Sequence, residues 1–551
     1  MAHNMLNYIT STTPTSIIEP AILSFDRLIT NARLTCITPP AALNPLTNTH
    51  RLSRSVALQS LKCKDGGTGH IRLHYRAHAA YLSSALSTLH NPLISSNYSP
   101  LSLHIQSNYQ WICKTLDLTS IPPNHPLSTV LPSDPNLLNS HDLALSLTTN
   151  RNRKVQATIT CSLLSNLRQR LRSLCSTPLQ SIDLNLYDCT HILAITSRSQ
   201  MPRVFTASLW HKHNRIPSQH FIAWYRYHYN LPQLLQSDTP VIIDGTAYSP
   251  CLATKQCVDN NCYINATATH TVACNGFKSS RYSIHNTLRN HTHYIAKEAG
   301  ATSAVEPDSS TILLREFTSE QMRKLFPKHG SLPNPTLQIA YDLLQPNLQP
   351  HQISHLHLTL ASAIGSCDDN QGRRIDIAIH TPLPADYWID VSAIHATKAS
   401  TISNTSTWFN AERACESDAA ARNTPNNMLA LPSHPIAEAV KRKQTTYSLL
   451  HKLAILQHAK GARPTIPRLM ACIMSHEGEW SPDYFDFLED MTRLAKAHAC
   501  KDTIMGDTPI KHAATFRQNA KDRLVCVMIA GLGKGLHLAG LPSLSVVLGG
   551  R

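Results

Sequence analysis

The stretch that decides the fold of the C-terminal half reads Arg373-Arg374-Ile375-Asp376-Ile377-Ala378-Ile379-His380-Thr381-Pro382-Leu383-Pro384-Ala385-Asp386-Tyr387-Trp388-Ile389-Asp390-Val391-Ser392-Ala393-Ile394-His395. Two runs rich in β-branched and aromatic residues flank a proline-containing turn, which is typical of a β-hairpin. A hairpin folded about Leu383 brings Asp376 and Asp390 opposite each other, with their Cβ atoms about 5 Å apart. Because adjacent carboxylates repel each other, a hard divalent cation such as Mg²⁺ would stabilise the pair.

A lysine on a predicted helix further along the chain completes this candidate site. The helix is expected to begin near Ser433, with Pro435 in its first turn, where proline is favoured. Apolar residues recur at steps of three and four, and Lys443 falls within the same stripe. The apolar positions are Ile436, Val440, Tyr447, Leu450 and Ala454. An ammonium directed at the protein needs an anionic partner, and a phosphate or water beside the two aspartates would supply one.

The alternative interpretation of these charges is structural. Asp376 and Asp390 would then be ordinary strand-edge charges, and Lys443 would extend along the surface of its helix. Tyr447, one turn after the lysine, could hydrogen-bond Lys443 or simply pack, and packing is the expectation.

The length and charge of the chain bound its class. At 551 residues it can hold about two to four domains with sizeable cores. Its 50 Lys and Arg residues exceed its 35 Asp and Glu residues, which gives a formal net charge of +15. This excess favours a polyanionic partner, and nucleic acid is the first candidate. The alternative is that the basic balance only reflects the composition of the host.

The sequence carries no sign of secretion or of membrane insertion. Its 15 cysteines are scattered, unlike the dense framework of a small secreted domain, and the start Met1-Ala2-His3-Asn4 lacks a signal pattern. The most apolar stretch, from Leu524 to Leu548, is interrupted by Lys534 and His537. We therefore expect a reducing compartment, no signal peptide and no transmembrane segment.

The first ~240 residues are predicted to form leucine-rich helices separated by proline-containing loops. Between Asp142 and Asp183 there is no acidic residue, and the segment 163–174 has the pattern of a basic amphipathic helix that suits a phosphate backbone. The basic residues of this region are Arg151, Arg153, Lys154, Arg168, Arg170 and Arg172. The alternative is a solvated helix face.

A cluster of soft ligands precedes the hairpin. Cys257, Cys262, His270 and Cys274 are separated by four, seven and three residues, a spacing that can close a tetrahedral zinc site. Such a site would fold a segment too short and polar to fold alone. The alternative is a chance cluster, for which the nearby Cys251 is a competing ligand.

Basic and aromatic residues follow the cysteine cluster. The candidate contacts to a nucleic-acid backbone are Lys278, Arg281, Arg289 and Arg374. Tyr282 and Tyr294 would offer stacking surfaces to bases.

Several short motifs then follow one another along the chain. They are the Cys-Cys-His-Cys cluster, His285-Asn286, Ala299-Gly300, Glu306-Pro307, Arg374-x-Asp376, Asp390-Val391-Ser392 and Ala439-x3-Lys443-x3-Tyr447. This order resembles the C-terminal region of non-LTR retrotransposon polyproteins that carry a restriction-like endonuclease. Upstream, Gly66-Gly67-Thr68-Gly69-His70 resembles the glycine-rich segment after the reverse-transcriptase palm of that family.

The resemblance implies a zinc knuckle followed by a PD-(D/E)xK endonuclease that nicks target DNA. Asp376 and Asp390 would bind Mg²⁺, Lys443 would act on the attacking water, and Glu306, on or near the preceding helix, would be a further catalytic acid. The implied cofactors are Mg²⁺ and Zn²⁺, the implied partners are target DNA and possibly element RNA, and the implied localisation is nuclear.

The sequence departs from the family at specific positions. Ile375 stands where the nuclease motif commonly has proline, and Ser392 stands where lysine often lies, which assigns the lysine role to Lys443. No aromatic-x-Asp-Asp polymerase motif occurs in the chain, so reverse transcription is not assigned to it.

The expected fold is α+β overall. It comprises a mostly α-helical N-terminal half, a small zinc-binding module and a C-terminal α/β domain similar to restriction endonucleases, with a central mixed sheet flanked by helices. The expected domains are a helical remnant at 1–150, a basic helical region at 151–245, a zinc-knuckle-like module at 246–298, an endonuclease-like domain at 299–500 and a helical tail at 501–551.

The resemblance thus implies a nucleic-acid-binding protein of retroelement origin with a metal-dependent DNA endonuclease-like domain that would nick target DNA for retrotransposition. The alternative is a catalytically inactive, truncated retroelement protein that only binds RNA or DNA through zinc. A third interpretation is an open reading frame whose N-terminal half never packs.

Overall fold

The computed structural model describes the chain in segments. These are residues 2–37, 49–89, 99–133, 153–176, 191–196, 199–208, 211–229, 231, 241–243, 246–250, 263–264, 274, 278–307, 375–381, 386–395, 434–459, 465–501 and 509–539. The chain divides into two compact units. The first unit comprises Met1–Pro202, Tyr225–Ser249 and Asn265–Thr267, and the second comprises Arg203–Trp224, Pro250–Ile264 and Ala268–Arg551.

The first unit is mainly helical. Its helices are α1 (Ala2–Thr12), α2 (Thr15–Ile37), α3 (Thr49–Ser60), α4 (Leu73–Leu89), α5 (Ser99–Thr115) and α6 (Arg153–Ser176). Helix α7 spans Ser218–His228, and strand β1 (Val241–Ile243) pairs antiparallel with β2 (Thr246–Pro250). A further short strand, β3, spans Tyr263–Ile264, which belong to the second unit. The described residues as a whole are mostly helical with a small mixed sheet, which agrees with the expected α+β class.

Helix α4 lies at the centre of the first unit's core. Its Leu82 and Leu86 belong to one buried cluster with Ile105 and Ile112 of α5 and Ile159 of α6. Each of these side chains is at most 2% exposed, and burying one of them stabilises the fold by roughly 1.5–3 kcal/mol. The core therefore fixes α4 against its neighbours.

A tight turn of glycines leads towards helix α4. Gly66 has φ +89°, a left-handed conformation that favours glycine. A Cβ atom at position 67 would lie 2.0 Å from the carbonyl oxygen of Leu61, so a side chain cannot fit there. Local steric constraints within the first unit thus explain why glycine stands at positions 66 and 67.

The second unit contains a four-stranded mixed sheet. Its elements are α8 (Lys278–Glu298), β4 (Thr302–Val305), β5 (Ile377–His380), β6 (Tyr387–Ile394), α9 (His434–Ala459), β7 (Arg468–Ser475), α10 (Pro482–Lys501) and α11 (Pro509–Ala539). The strand order is β4-β5-β6-β7, with antiparallel pairs except for the parallel pair β6 and β7. Helix α9 provides the crossover that two parallel strands require.

The hairpin register predicted from the sequence is confirmed. Ile377 pairs with Ile389, and Ile379 pairs with Tyr387. Continued by one residue, this register brings Asp376 opposite Asp390. The predicted turn residues 382–385 lie outside the described residues.

Helices flank the sheet of the second unit, in agreement with the expected mixed sheet flanked by helices. Helix α8 packs against β4 and β6, α9 packs on β7, and α11 packs on α8 and α10. Ile436 of α9 and Ile473 of β7 are both fully buried in one cluster. Helix α8, which the sequence analysis grouped with the zinc module, thus belongs structurally with the sheet. Among the described helices, none combines the length and apolar character needed to cross a membrane.

Candidate active site

An ion pair between strand β6 and helix α9 forms the centre of the candidate site. The ammonium nitrogen of Lys443 lies 2.8 Å from Oδ1 of Asp390 and donates a hydrogen bond to Oδ2 at 3.1 Å. Asp390 is 2% exposed, whereas about a quarter of the Lys443 side chain is exposed. The lysine therefore reaches from a partly open helix face into the sheet, as the position of Lys443 in the apolar stripe indicates.

Asp376 lies immediately before strand β5 and is held from two directions. Its Oδ2 accepts a hydrogen bond from the backbone N–H of Val391 at 2.7 Å, across the hairpin. Its Oδ1 lies 3.4 Å from Nε2 of His285 on helix α8. Asp376 is 8% exposed. The hairpin register and one helix thus fix the orientation of this carboxylate.

The two aspartates and His285 influence one another electrostatically. Burial raises the pKa of Asp390, the Lys443 charge and hydrogen bond lower it, and the negative charge of Asp376 raises it further, so that the net direction is upward. The hydrogen bond to Asp376 raises the pKa of His285, burial opposes this rise, and the charges of both aspartates add to it. The two carboxylates therefore act on the same imidazole and on each other.

The donor set of this site fits a hard divalent cation. Carboxylate oxygens are the ligands that Mg²⁺ prefers, and like-charge repulsion between two carboxylates is relieved by a bound cation. Burial is the main cause of the raised pKa of Asp390, and the negative charge of Asp376 adds to the rise. Asp376 and Asp390 are the residues that would hold the ion.

Tyr447 makes a contact that the sequence analysis did not favour. It lies one turn after Lys443, is 7% exposed, and its hydroxyl hydrogen-bonds the Asp390 carboxylate and lowers the pKa of that group. Tyr447 is buried as expected, and its hydrogen bond to Asp390 is an additional contact that the sequence analysis did not predict. Its position one turn from Lys443 was the signal that both side chains reach the same partner.

Glu306 lies close to the aspartates through its backbone, but its side chain is engaged elsewhere. It follows strand β4 rather than lying on a helix, and it has φ +44°, which is uncommon for a residue with a side chain. Its N–H donates to the carbonyl oxygen of Asp376 at 2.8 Å, and its carboxylate pairs with Arg289 of α8. The structure therefore brings Glu306 together with Arg289.

The candidate nucleic-acid contacts fall into different environments. Arg289 pairs with Glu306, and Arg281 donates to the carbonyl oxygen of Cys274 at 3.4 Å. Lys278 begins helix α8, and Arg374 lies outside the described residues. On the outer face of α8, Tyr282 and Tyr294 are 58% and 51% exposed.

The basic helix predicted near residue 170 uses its arginines within the protein. Arg168 donates to the carbonyl oxygen of Thr196 at 2.8 Å, and Arg170 pairs with Asp117 at 2.6 Å. Arg172 is 5% exposed. These contacts tie α6 to neighbouring segments of the first unit and disfavour its use as a phosphate-binding surface.

The predicted zinc ligands are only partly described. Cys257, Cys262 and His270 lie outside the described residues. Cys274 is 3% exposed, and its carbonyl oxygen accepts the hydrogen bond from Arg281. The zinc site of this segment stays a prediction.

The structure brings together a group of metal-ligand type that the sequence analysis missed. One ligand atom from each of Glu19, His74 and His78 lies within 4.8 Å of the other two. The available signal was the spacing of His74 and His78, which are one turn apart on helix α4. The third member comes from another helix and could not be paired with them from the sequence.

Comparisons with known proteins give this site no family name. No protein-family model matches the chain, and no curated protein is significantly similar to it. A functional assignment therefore depends on the geometry of Asp376, Asp390 and Lys443.

Proposed function

We propose that the second unit carries a Mg²⁺-dependent DNA endonuclease site formed by Asp376, Asp390 and Lys443. The observation that supports this proposal is the contact between Lys443 and Asp390, at 2.8 Å, next to a second carboxylate on the adjacent strand. A lysine and two acids gathered at the two inner strands of a mixed sheet form a charge pattern that suits phosphodiester hydrolysis.

Each residue has a defined task in this proposal. Asp376 and Asp390 hold the cation, which when bound polarises the scissile phosphodiester. Lys443 orients the attacking water and stabilises the negative charge that grows on the phosphate. The water oxygen forms a bond to phosphorus and releases a proton to solvent, the bridging P–O bond breaks, and the leaving oxygen takes up a proton from solvent.

His285 acts as a positioning residue. It contacts Asp376 Oδ1, whereas the Val391 N–H holds Oδ2 of the same carboxylate. Two donors on opposite oxygens restrict the rotation of the side chain. The carboxylate is thereby held in one orientation before substrate arrives.

Helix α8 supports the choice of nucleic acid as substrate. The helix that contributes His285 also carries Tyr282 and Tyr294 on its outer face, where both are more than half exposed. Exposed aromatic rings stack with bases, and the net charge of +15 favours a polyanion. The order of the sequence motifs supports a retroelement origin, and with it an action on chromosomal DNA in the nucleus.

The test is the nicking of supercoiled plasmid by the full-length chain with and without Mg²⁺. We expect nicking that requires Mg²⁺ and that falls at least about 100-fold in Asp376→Asn, Asp390→Asn and Lys443→Met, the size of effect seen when one stabilising group is removed. Lys441→Met is the matched control, because Lys441 lies on the exposed face of the same helix. Equal nicking by all variants would assign the cleavage to a contaminant.

Nucleic-acid binding without cleavage is the second candidate function. The observation that favours it is the closed ion pair itself, because a lysine that neutralises a buried acid also serves a purely structural purpose. This candidate predicts that the full-length chain binds DNA with equal affinity in wild type and in the three variants. It also predicts that no version cuts DNA when Mg²⁺ is added.

A further inference from the structure

A second group of metal-ligand type lies in the first unit, on helices α2 and α4. Nε2 of His74 lies 3.1 Å from Oε1 of Glu19. His78 follows His74 by one helical turn, and its ligand atom lies within 4.8 Å of those of the other two residues. Two imidazoles and one carboxylate therefore meet at one place, with the carboxylate about 39% exposed towards solvent.

The hydrogen bonds of Asn108 define the tautomer of His78. The Asn108 amide nitrogen donates to the carbonyl oxygen of His104 at 2.8 Å, so its Oδ1 is the acceptor end. That oxygen accepts from the Thr15 hydroxyl at 2.7 Å and contacts Nδ1 of His78 at 2.8 Å. Nδ1 must therefore carry the proton, which leaves the lone pair on Nε2.

Nε2 of His78 is enclosed and has no hydrogen-bond partner within the part of the chain that the structure describes. His78 is 4% exposed, and the Trp111 ring stacks on it with centroids 3.6 Å apart and an interplanar angle of 3°. A neutral imidazole with an unused lone pair is the form that binds metals.

We propose that Glu19, His74 and His78 form a Zn²⁺ site with three protein ligands. Zinc accepts histidine nitrogen and carboxylate oxygen in a tetrahedral arrangement, and three protein ligands leave its fourth position for water. Two imidazoles disfavour Mg²⁺ and Ca²⁺, which prefer oxygen ligands. Asn108 would not contact the metal itself. Its hydrogen bond with Nδ1 of His78 orients the His78 ring and fixes its tautomer, as residues behind the ligands do at zinc sites.

The site is expected to join helices rather than to hydrolyse a peptide. His74 and His78 have the i, i+4 spacing of zinc-binding helices, but Tyr75 stands where the metalloprotease motif has its general base, a glutamate. A bound ion would connect α2, which carries Glu19, to α4, which carries both histidines. Zinc is thus expected to raise the melting temperature of the protein.

The test is a titration of the chelator-treated, full-length chain with Co²⁺, followed by displacement with Zn²⁺. Cys257→Ser/Cys262→Ser serves as the background, because it removes two ligands of the separately predicted cysteine site. In that background we expect one Co²⁺ with visible d–d bands and no thiolate charge-transfer band. Binding should also quench the fluorescence of Trp111, which lies against both histidines.

Glu19→Gln and His74→Gln test the proposed zinc site, with His104→Gln as the matched control. We expect the first two to weaken Co²⁺ binding at least 10-fold and to abolish the Zn²⁺-induced rise in melting temperature, with the control unchanged. Should His74→Gln unfold the protein, Glu19→Gln still decides, because Glu19 is partly exposed. Unchanged Co²⁺ affinity in Glu19→Gln, or no Co²⁺ bound in the background, would overturn the proposal.

Discussion

Asp390 in the second unit is subject to opposing effects on its ionisation. It is almost fully buried, which disfavours its charge, but Lys443 and Tyr447 both stabilise the ionised form. Without the lysine ammonium, the buried carboxylate would carry an uncompensated charge. The free-energy cost of that charge is larger than the stabilisation that the ion pair provides relative to apolar residues of similar size. Removing one partner of the ion pair is therefore expected to destabilise the fold more than replacing both partners.

The first prediction concerns this pair. We expect Lys443→Met to lower the free energy of unfolding by about 1–3 kcal/mol, less than for a fully buried pair because the lysine is partly exposed. The double variant Asp390→Leu/Lys443→Met should lose less than the sum of the single variants. Urea denaturation measures both effects. Lys441→Met should change stability by less than about 0.5 kcal/mol, and an equal loss in both lysine variants would contradict the prediction.

At the scale of elements, contacts between residues that are close in sequence could be predicted, whereas contacts between distant residues could not. The β5-β6 register follows from a short hairpin, and the orientation of Lys443 follows from the helical repeat, so both could be predicted. The pairing of β4 with β5 joins Thr302 to His380 across a long separation. The same holds for Glu306 with Arg289 and for Glu19 with the two histidines, since only tertiary packing brings these side chains together.

The packing of α9 on the sheet gives the second prediction. Ile436 of α9 is 0% exposed in a cluster with Ile473 of β7. Ile436→Ala should lower the free energy of unfolding by about 2–4 kcal/mol, because it removes buried methyl groups and leaves a cavity. Ile466→Ala is the control, since Ile466 is 41% exposed. If the two variants unfold at the same urea concentration, α9 does not pack on the sheet as described.

The outer face of α8 gives the third prediction. Tyr282→Ala/Tyr294→Ala should weaken the binding of single-stranded DNA by about 1–3 kcal/mol for each stacked base that is lost. The fold should be unaffected because both rings are more than half exposed. Fluorescence anisotropy with a labelled oligonucleotide measures the change. Tyr8→Ala, which removes a ring that is 68% exposed on α1, is the control, and equal affinities in both variants would exclude stacking on α8.

At the scale of the whole molecule, both units contain buried histidines that are held neutral. Burial, with the neighbouring His191, lowers the pKa of His228 in the first unit to about 3, although a hydrogen bond to the carbonyl oxygen of Gly66 opposes the shift. Burial also lowers the pKa of His476 in the second unit. Protons therefore bind to the unfolded chain more readily than to the folded protein.

The fourth prediction is a loss of stability in mild acid. The folded-state pKa of His228 lies below the unfolded value of about 6.5, so its contribution is complete above pH 6.5 and declines as the pH falls below it. The free energy of unfolding should fall by up to about 1.4 kcal/mol per pH unit for each such histidine. Urea denaturation between pH 7.5 and pH 5 measures it. His228→Gln should reduce the slope, and equal slopes in the wild type and in His228→Gln would contradict the prediction.

One helix also sets a length scale for whatever the second unit binds. Tyr282 and Tyr294 are twelve positions apart on α8, which at 1.5 Å per residue corresponds to about 18 Å. A stacked strand advances about 3.4 Å per nucleotide, so the two rings span about five nucleotides. In the proposed endonuclease, His285 contacts Asp376 from the same helix, so the cut would fall at a fixed distance from the bases that stack on Tyr282 and Tyr294.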